Sequence, residues 1–95
     1  MSIYVKVAGG TITEYRNGSC YRSYGSNIAF AMTLGRNTVI AVTKRGRVQE
    51  YRNGSLQKTF GSGVVSAYES SGVVYATLKS GKVQEYKNGS LIKQY

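Results

Sequence analysis

Glu50-Tyr51-Arg52-Asn53-Gly54-Ser55 decides the fold, because the same hexapeptide stands at Glu14–Ser19 and, with Lys in place of Arg, at Glu85–Ser90. The interval is 36 residues from Glu14 to Glu50 and 35 from Glu50 to Glu85. A unit of that length, recurring without helical periodicity, marks a repeat architecture in which each copy buries its apolar face only against its neighbours. Within each hexapeptide the Asn-Gly pair, at 17/18, 53/54 and 88/89, signals a two-residue hairpin. A type I′ turn needs positive φ at both central residues, and Asn and Gly tolerate it.

Working outward from the second turn, short apolar or alternating runs separated by Gly, Asn or Ser cover Ile28–Leu34, Thr38–Thr43, Arg47–Arg52 and Leu56–Phe60. They have strand length and turn punctuation. The third copy repeats them at Val64–Glu69, Val73–Leu78, Lys82–Lys87 and Leu91–Tyr95. The first copy, starting at Met1, supplies Ile3–Val7, Thr11–Arg16 and Cys20–Tyr24. Eleven strands are predicted, in repeats 1–24, 25–60 and 61–95 of a single domain, 1–95. The connections are too short for parallel crossovers, so each copy is an antiparallel meander. The chain has no proline to interrupt a ladder. Counting back from Asn53-Gly54 pairs Arg52 with Ser55, Tyr51 with Leu56, Glu50 with Gln57 and Gln49 with Lys58, and puts Tyr51, Leu56 and Phe60 on one face.

Four-stranded meanders of this length resemble the blades of a β-propeller, in particular of small propellers assembled from several short chains. The Trp-Asp dipeptide of the best-known propeller repeat is missing. The resemblance implies that three blades need a partner, since propellers close with roughly 4 to 8; a homodimer giving a six-bladed ring is the economical solution. Uncharged, Ala-bearing Ile28–Met32 and Val64–Tyr68 suit the innermost strands, and the charged hexapeptide strand with its hairpin partner suits the outer pair. The alternative all-β fold is a β-trefoil, also three repeats of four strands, which closes as a monomer.

Lys and Arg number 13 against 4 acidic residues, a net charge of +9, and a basic surface attracts phosphate, nucleic acid, anionic glycan or lipid headgroups. The chain has no His, no Asp and a single cysteine, Cys20. Neither a Ser-His-Asp constellation, a His-rich metal site nor a thiolate cluster within one chain can be assembled, so no enzyme activity, metal or cofactor is expected. Cys20 aligns with Leu56 and Leu91 and is read as a small buried hydrophobe. Glu14, Glu50 and Glu85 stand two residues before Arg16, Arg52 and Lys87 on one strand face, where an ion pair or a blade-to-blade hydrogen bond explains them better than general acid–base work; Glu69 is read as a surface charge. No apolar run reaches membrane-span length and the N-terminus lacks a secretory pattern, so a cytoplasmic location is expected, that of the host if the chain is phage-encoded.

Binding is better supplied. Lys44, Arg45 and Arg47, with Lys79 and Lys82 one repeat on, place several cations on the turn between second and third strands, and rotation of copies would gather these turns on one rim. Arg52 before the Asn-Gly turn and Lys58 on the returning strand are further repeated cations. Tyr15, Tyr51 and Tyr86 repeat and are assigned to the core. Tyr4, Tyr21, Tyr68 and Tyr75 break the repeat and are the aromatic contact candidates, able to stack on bases or sugars. The expected function is non-enzymatic binding of a phosphate-bearing ligand, nucleotide or nucleic acid. Such a basic, symmetric oligomer is similar to the small proteins with which phages sequester nucleotide messengers or block host nucleic-acid machinery, although it shares no motif with them. A propeller lectin is the alternative, weakened by the absence of Trp; a purely structural assembly unit is the third.

Overall fold

The computed structural model describes residues 3–35 and 37–95, so the start of the first repeat at Met1 lies outside the described residues. The chain is all-β, and its described residues form eleven strands in three antiparallel sheets. The first sheet holds β1 (Ile3–Ala8), β2 (Thr11–Arg16) and β3 (Ser19–Tyr24). The second holds β4 (Ile28–Gly35), β5 (Thr38–Thr43), β6 (Val48–Arg52) and β7 (Ser55–Phe60), and the third β8 (Val64–Ser70), β9 (Val73–Leu78), β10 (Val83–Lys87) and β11 (Ser90–Gln94). Strands adjacent in sequence are adjacent in space, so each sheet is a meander. Every strand falls where the repeat pattern puts it, with ends moved by no more than one residue. Among the described residues no helix is long and apolar enough to cross a membrane.

The hairpins form as their sequence requires: Asn17, Asn53 and Asn88 have φ of 53°, 51° and 53°, and the following glycines 80°, 80° and 81°. Arg52 pairs with Ser55 and Tyr51 with Leu56, as counted from the turn. Beyond Leu56 the expected register is wrong. Glu50 pairs with Lys58, Gln49 with Thr59 and Val48 with Phe60, because Gln57 is an extra residue forming a β-bulge. Tyr21 and Ile92 form the same bulge in the other copies. The slip moves Phe60 off the Tyr51–Leu56 face and sets it opposite Val48, where both are buried.

The sheets stack face to face in chain order. Ile12 of the first sheet packs with Ile28, Val39, Ala41 and Tyr51 of the second. From the opposite face of that second sheet Ile40, Val42, Val48 and Phe60 pack with Val64, Ala67, Val74, Ala76 and Tyr86 of the third. Alternation of side chains along β5 sends Val39 and Ala41 one way and Ile40 and Val42 the other, so the whole strand is buried. Matching backbone bonds tie the stack: Ile28 N–H donates to Gly10 O and Val64 N–H to Gly46 O, each at 3.0 Å.

Four side-chain expectations change with this packing. Cys20, Leu56 and Leu91 are exposed, not core, because they lie on edge strands beyond the strands through which the sheets meet. Tyr51 and Tyr86 are buried, but Tyr15 is only half-buried, on the uncovered face of the first sheet. Glu14 pairs across the ladder with Arg22, its Oε1 lying 3.3 Å from Nε, and not with Arg16, which donates to Asn37 Oδ1 at 3.1 Å. Glu69 is half-buried and accepts the Gly72 N–H at 2.9 Å, closing the β8–β9 turn.

Candidate anion-binding cleft

The turn between β5 and β6 is built by its own backbone. Thr43 N–H donates to Arg47 O at 2.8 Å, Gly46 N–H to Thr43 O at 3.0 Å, and Arg47 N–H to Thr43 Oγ1 at 3.1 Å. The equivalent turn of the third sheet repeats two of these, Leu78 N–H to Lys82 O at 2.8 Å and Gly81 N–H to Leu78 O at 2.9 Å. Lys79 N–H donates to Gly63 O at 2.8 Å while the next residue, Val64, is bonded to Gly46. That relay draws the two cationic turns to a common cleft.

The cleft, of about 400 Å³, is lined by Lys44, Arg45, Gly46, Gly63, Val64, Val65 and Lys79. Lys44 and Lys79 occupy the same repeat position on adjacent sheets, and Arg45 adds a third cation. No carboxylate lines it. Glu14, the nearest thing to a reactive acid by burial, is fully enclosed between the first two sheets, where it accepts a hydrogen bond from the Tyr24 hydroxyl. Burial first, then that bond and the Glu14 charge, hold the Tyr24 hydroxyl well above the usual phenol range. Close-packed backbone forms the cleft wall: a Cβ on Gly46 would come within 3.0 Å of the nitrogens of Gly63 and Val64. With its cationic lining the cleft can hold an anion by charge and by side-chain donors. Among the described residues no group of three or more His, Cys, Asp or Glu is placed to hold a metal ion.

The other residues singled out from sequence lie elsewhere. Arg47 lines a neighbouring hollow of about 270 Å³ with Asn27, Gln49 and Thr59, and Arg45 borders both. Lys82 is exposed on the third sheet's matching turn. Arg52 sits beside the Asn53-Gly54 turn at the opposite end of the second sheet. Lys58 reaches over the next sheet's turn, its Cδ 3.1 Å from where a Gly89 Cβ would stand, a packing role between sheets. Tyr68 and Tyr75 pair directly across β8 and β9 on the third sheet's outer face.

Sequence reasoning missed the apolar wall of Gly63 to Val65, for which only the preceding Gly-Ser-Gly gave a signal. It also missed a hollow of about 410 Å³ on the first sheet's outer face, lined by Tyr4, Lys6, Tyr15, Asn17 and Gly18. Tyr21, at its bulge, has two guanidinium groups against its ring, Arg16 at 4.0 Å and Arg22 at 4.4 Å from the ring centre. The ring is thereby occupied by the chain's own cations.

No curated protein matches the chain. One family model, described as the Helicobacter pylori IceA2 protein, matches twice, over residues 1–54 and 37–95. The two matches start at residues 1 and 37, one repeat interval of 36 apart, so the model covers a repeating unit of this chain. Together they span its whole length, and the chain belongs to the Helicobacter pylori IceA2 protein family.

Proposed function

We propose that the chain is a non-enzymatic binding protein that takes a phosphate-bearing ligand, a nucleotide or a nucleic-acid strand, in the cleft between its second and third sheets. One observation carries this: Lys44, Arg45 and Lys79, from two sheets, line a single cleft of about 400 Å³ without an acidic residue among them. Three cations facing one space repel each other and are relieved by an anion. The three meanders stacked in chain order support reading them as successive blades of a β-propeller, completed by a second copy of the chain.

The test is binding of a fluorescently labelled oligothymidylate and of a labelled nucleotide, followed by anisotropy, for the wild type and for Arg45→Ala, Lys79→Ala and Arg52→Ala. The cleft variants are expected to lose at least about tenfold in affinity, as charge-assisted contacts are each worth roughly 1.5–3 kcal/mol. Arg52→Ala, at the other end of the sheet, loses much less. Equal losses in all three would reduce the effect to overall charge and remove the cleft from the account.

A further inference from the structure

The two junctions between sheets are built from the same parts. At the first, Tyr24 at the end of β3 stacks on the hexapeptide Tyr51 of the next sheet, ring centres 5.0 Å apart. At the second, Phe60 at the end of β7 stacks on Tyr86 at 4.6 Å. Two residues earlier a cation covers the next sheet's Asn-Gly turn. Arg22 donates to Asn53 O, and its Cδ lies 2.8 Å from where a Gly54 Cβ would be; Lys58 covers Gly89 in the same way at 3.1 Å.

Each half of this junction recurs once more without its complement. The third sheet presents Tyr95 and Lys93 where the second has Phe60 and Lys58. Tyr95 is fixed by backbone bonds to Val83 in both directions, and its hydroxyl donates to Glu85 at 2.7 Å, as Tyr24 donates to Glu14. Tyr95 is 58% exposed. The first sheet presents Tyr15, Asn17 and Gly18 where the others have Tyr51, Asn53, Gly54 and Tyr86, Asn88, Gly89. These three line the open hollow of about 410 Å³. Among the described residues, Gly18 alone of the three turn glycines has nothing within 4 Å of its Cβ position.

We propose that Tyr95 and Lys93 of one chain dock on Tyr15, Asn17 and Gly18 of a second copy, head to tail, so that two chains close through two such junctions. The proposal rests on the propeller reading and supplies its contacts; it does not depend on the ligand. Tyr95 then stacks on the partner ring and Lys93 lies over the partner turn. Lys6, whose ammonium now stands 5.5 Å from the Tyr15 ring centre, is an exposed side chain that gives up this place at little cost. Tyr95 and its Glu85 bond become enclosed as Tyr24 and Glu14 already are.

Sedimentation equilibrium on the whole chain, without added ligand, tests this. The expected mass is twice 10.4 kDa. Tyr95→Ser removes the ring, and Gly18→Asn adds a side chain to the docking turn while keeping a residue that accepts positive φ. Each is expected to weaken association at least about tenfold. Far-UV circular dichroism is expected to stay unchanged, since both positions are open to solvent in the single chain. Mixing the two variants leaves one junction intact, so mixed dimers form where neither variant alone assembles. A single-chain mass at every concentration overturns the proposal and the ring closure together. A double mass that neither variant shifts, or the absence of rescue on mixing, overturns this interface alone.

Discussion

Gly46 and Gly81 occupy the same repeat position with φ of +83° and +94°, but only Gly46 has another sheet against it. Replacing either by Ala forces an L-residue into the left-handed region, at roughly 1–2 kcal/mol. Gly81→Ala stops there, because its Cβ would meet nothing within 4 Å among the described residues. Gly46→Ala also drives a methyl to 3.0 Å from two backbone nitrogens and 3.1 Å from Gly63 Cα, and loosens the Val64 N–H bond to Gly46 O. Overpacking costs about 1–3 kcal/mol and a weakened hydrogen bond up to about 1 more. The expected losses are about 2–6 kcal/mol at Gly46, centred near 4, and about 1–2 at Gly81. For a domain this small each kcal/mol moves Tm by about 4–8 °C, so the two variants should melt roughly 10–20 °C apart. The assay is thermal and urea denaturation followed by circular dichroism, at one chain concentration so that any association is held constant. Equal losses at both glycines would refute the close contact of the second and third sheets, and with it the cleft they form.

If three cleft cations each neutralise a phosphate, log Kd for a single strand should rise with log salt with a slope of about 2, and a titration between low and moderate salt reads it directly. Tyr24 is neutral in the folded chain at pH values where an unfolded tyrosine ionises, so its contribution is complete below about pH 10 and declines as pH rises above that, the unfolded state then binding fewer protons. Tyr24→Phe, which installs the residue the second repeat already has at position 60, should therefore flatten the loss of Tm in alkaline melts. Ile40→Ala should cost about 2–5 kcal/mol, since the side chain is buried between two sheets. Leu56→Ala should stay within about 0.5, its side chain being exposed; denaturant midpoints compare the two.

The strands were legible because Asn-Gly fixes a hairpin by its own backbone preference, and three copies of it phase everything between. The bulge was not. Gln57, Tyr21 and Ile92 share no side-chain chemistry, and an extra residue shows only as six residues of β7 returning against five of β6. Missing that slip misplaced Phe60; Leu56 and Cys20, whose register was counted as found, were read as core because the pattern does not show that their edge strands lie beyond the neighbouring sheet. The repeat places Lys44 and Lys79 at equivalent turns of successive copies, and these two with Arg45 line one cleft. Arg52, Lys58, Tyr68 and Tyr75 separated from them because the ends and faces of a stack of sheets depend on which neighbour covers each surface, and that is a long-range property no local pattern carries.

The complete burial of β5 has a consequence for how the chain comes apart. A strand covered on both faces loses half its cover when either flanking sheet detaches, so the repeats do not melt independently as the units of a long array can. The amides of β5 should be the last to exchange with solvent, opening only with the whole molecule, while β11 at the far edge frays first. An insertion or deletion in the middle repeat would for the same reason be felt by all three, whereas the outermost edge can vary at small cost to the rest.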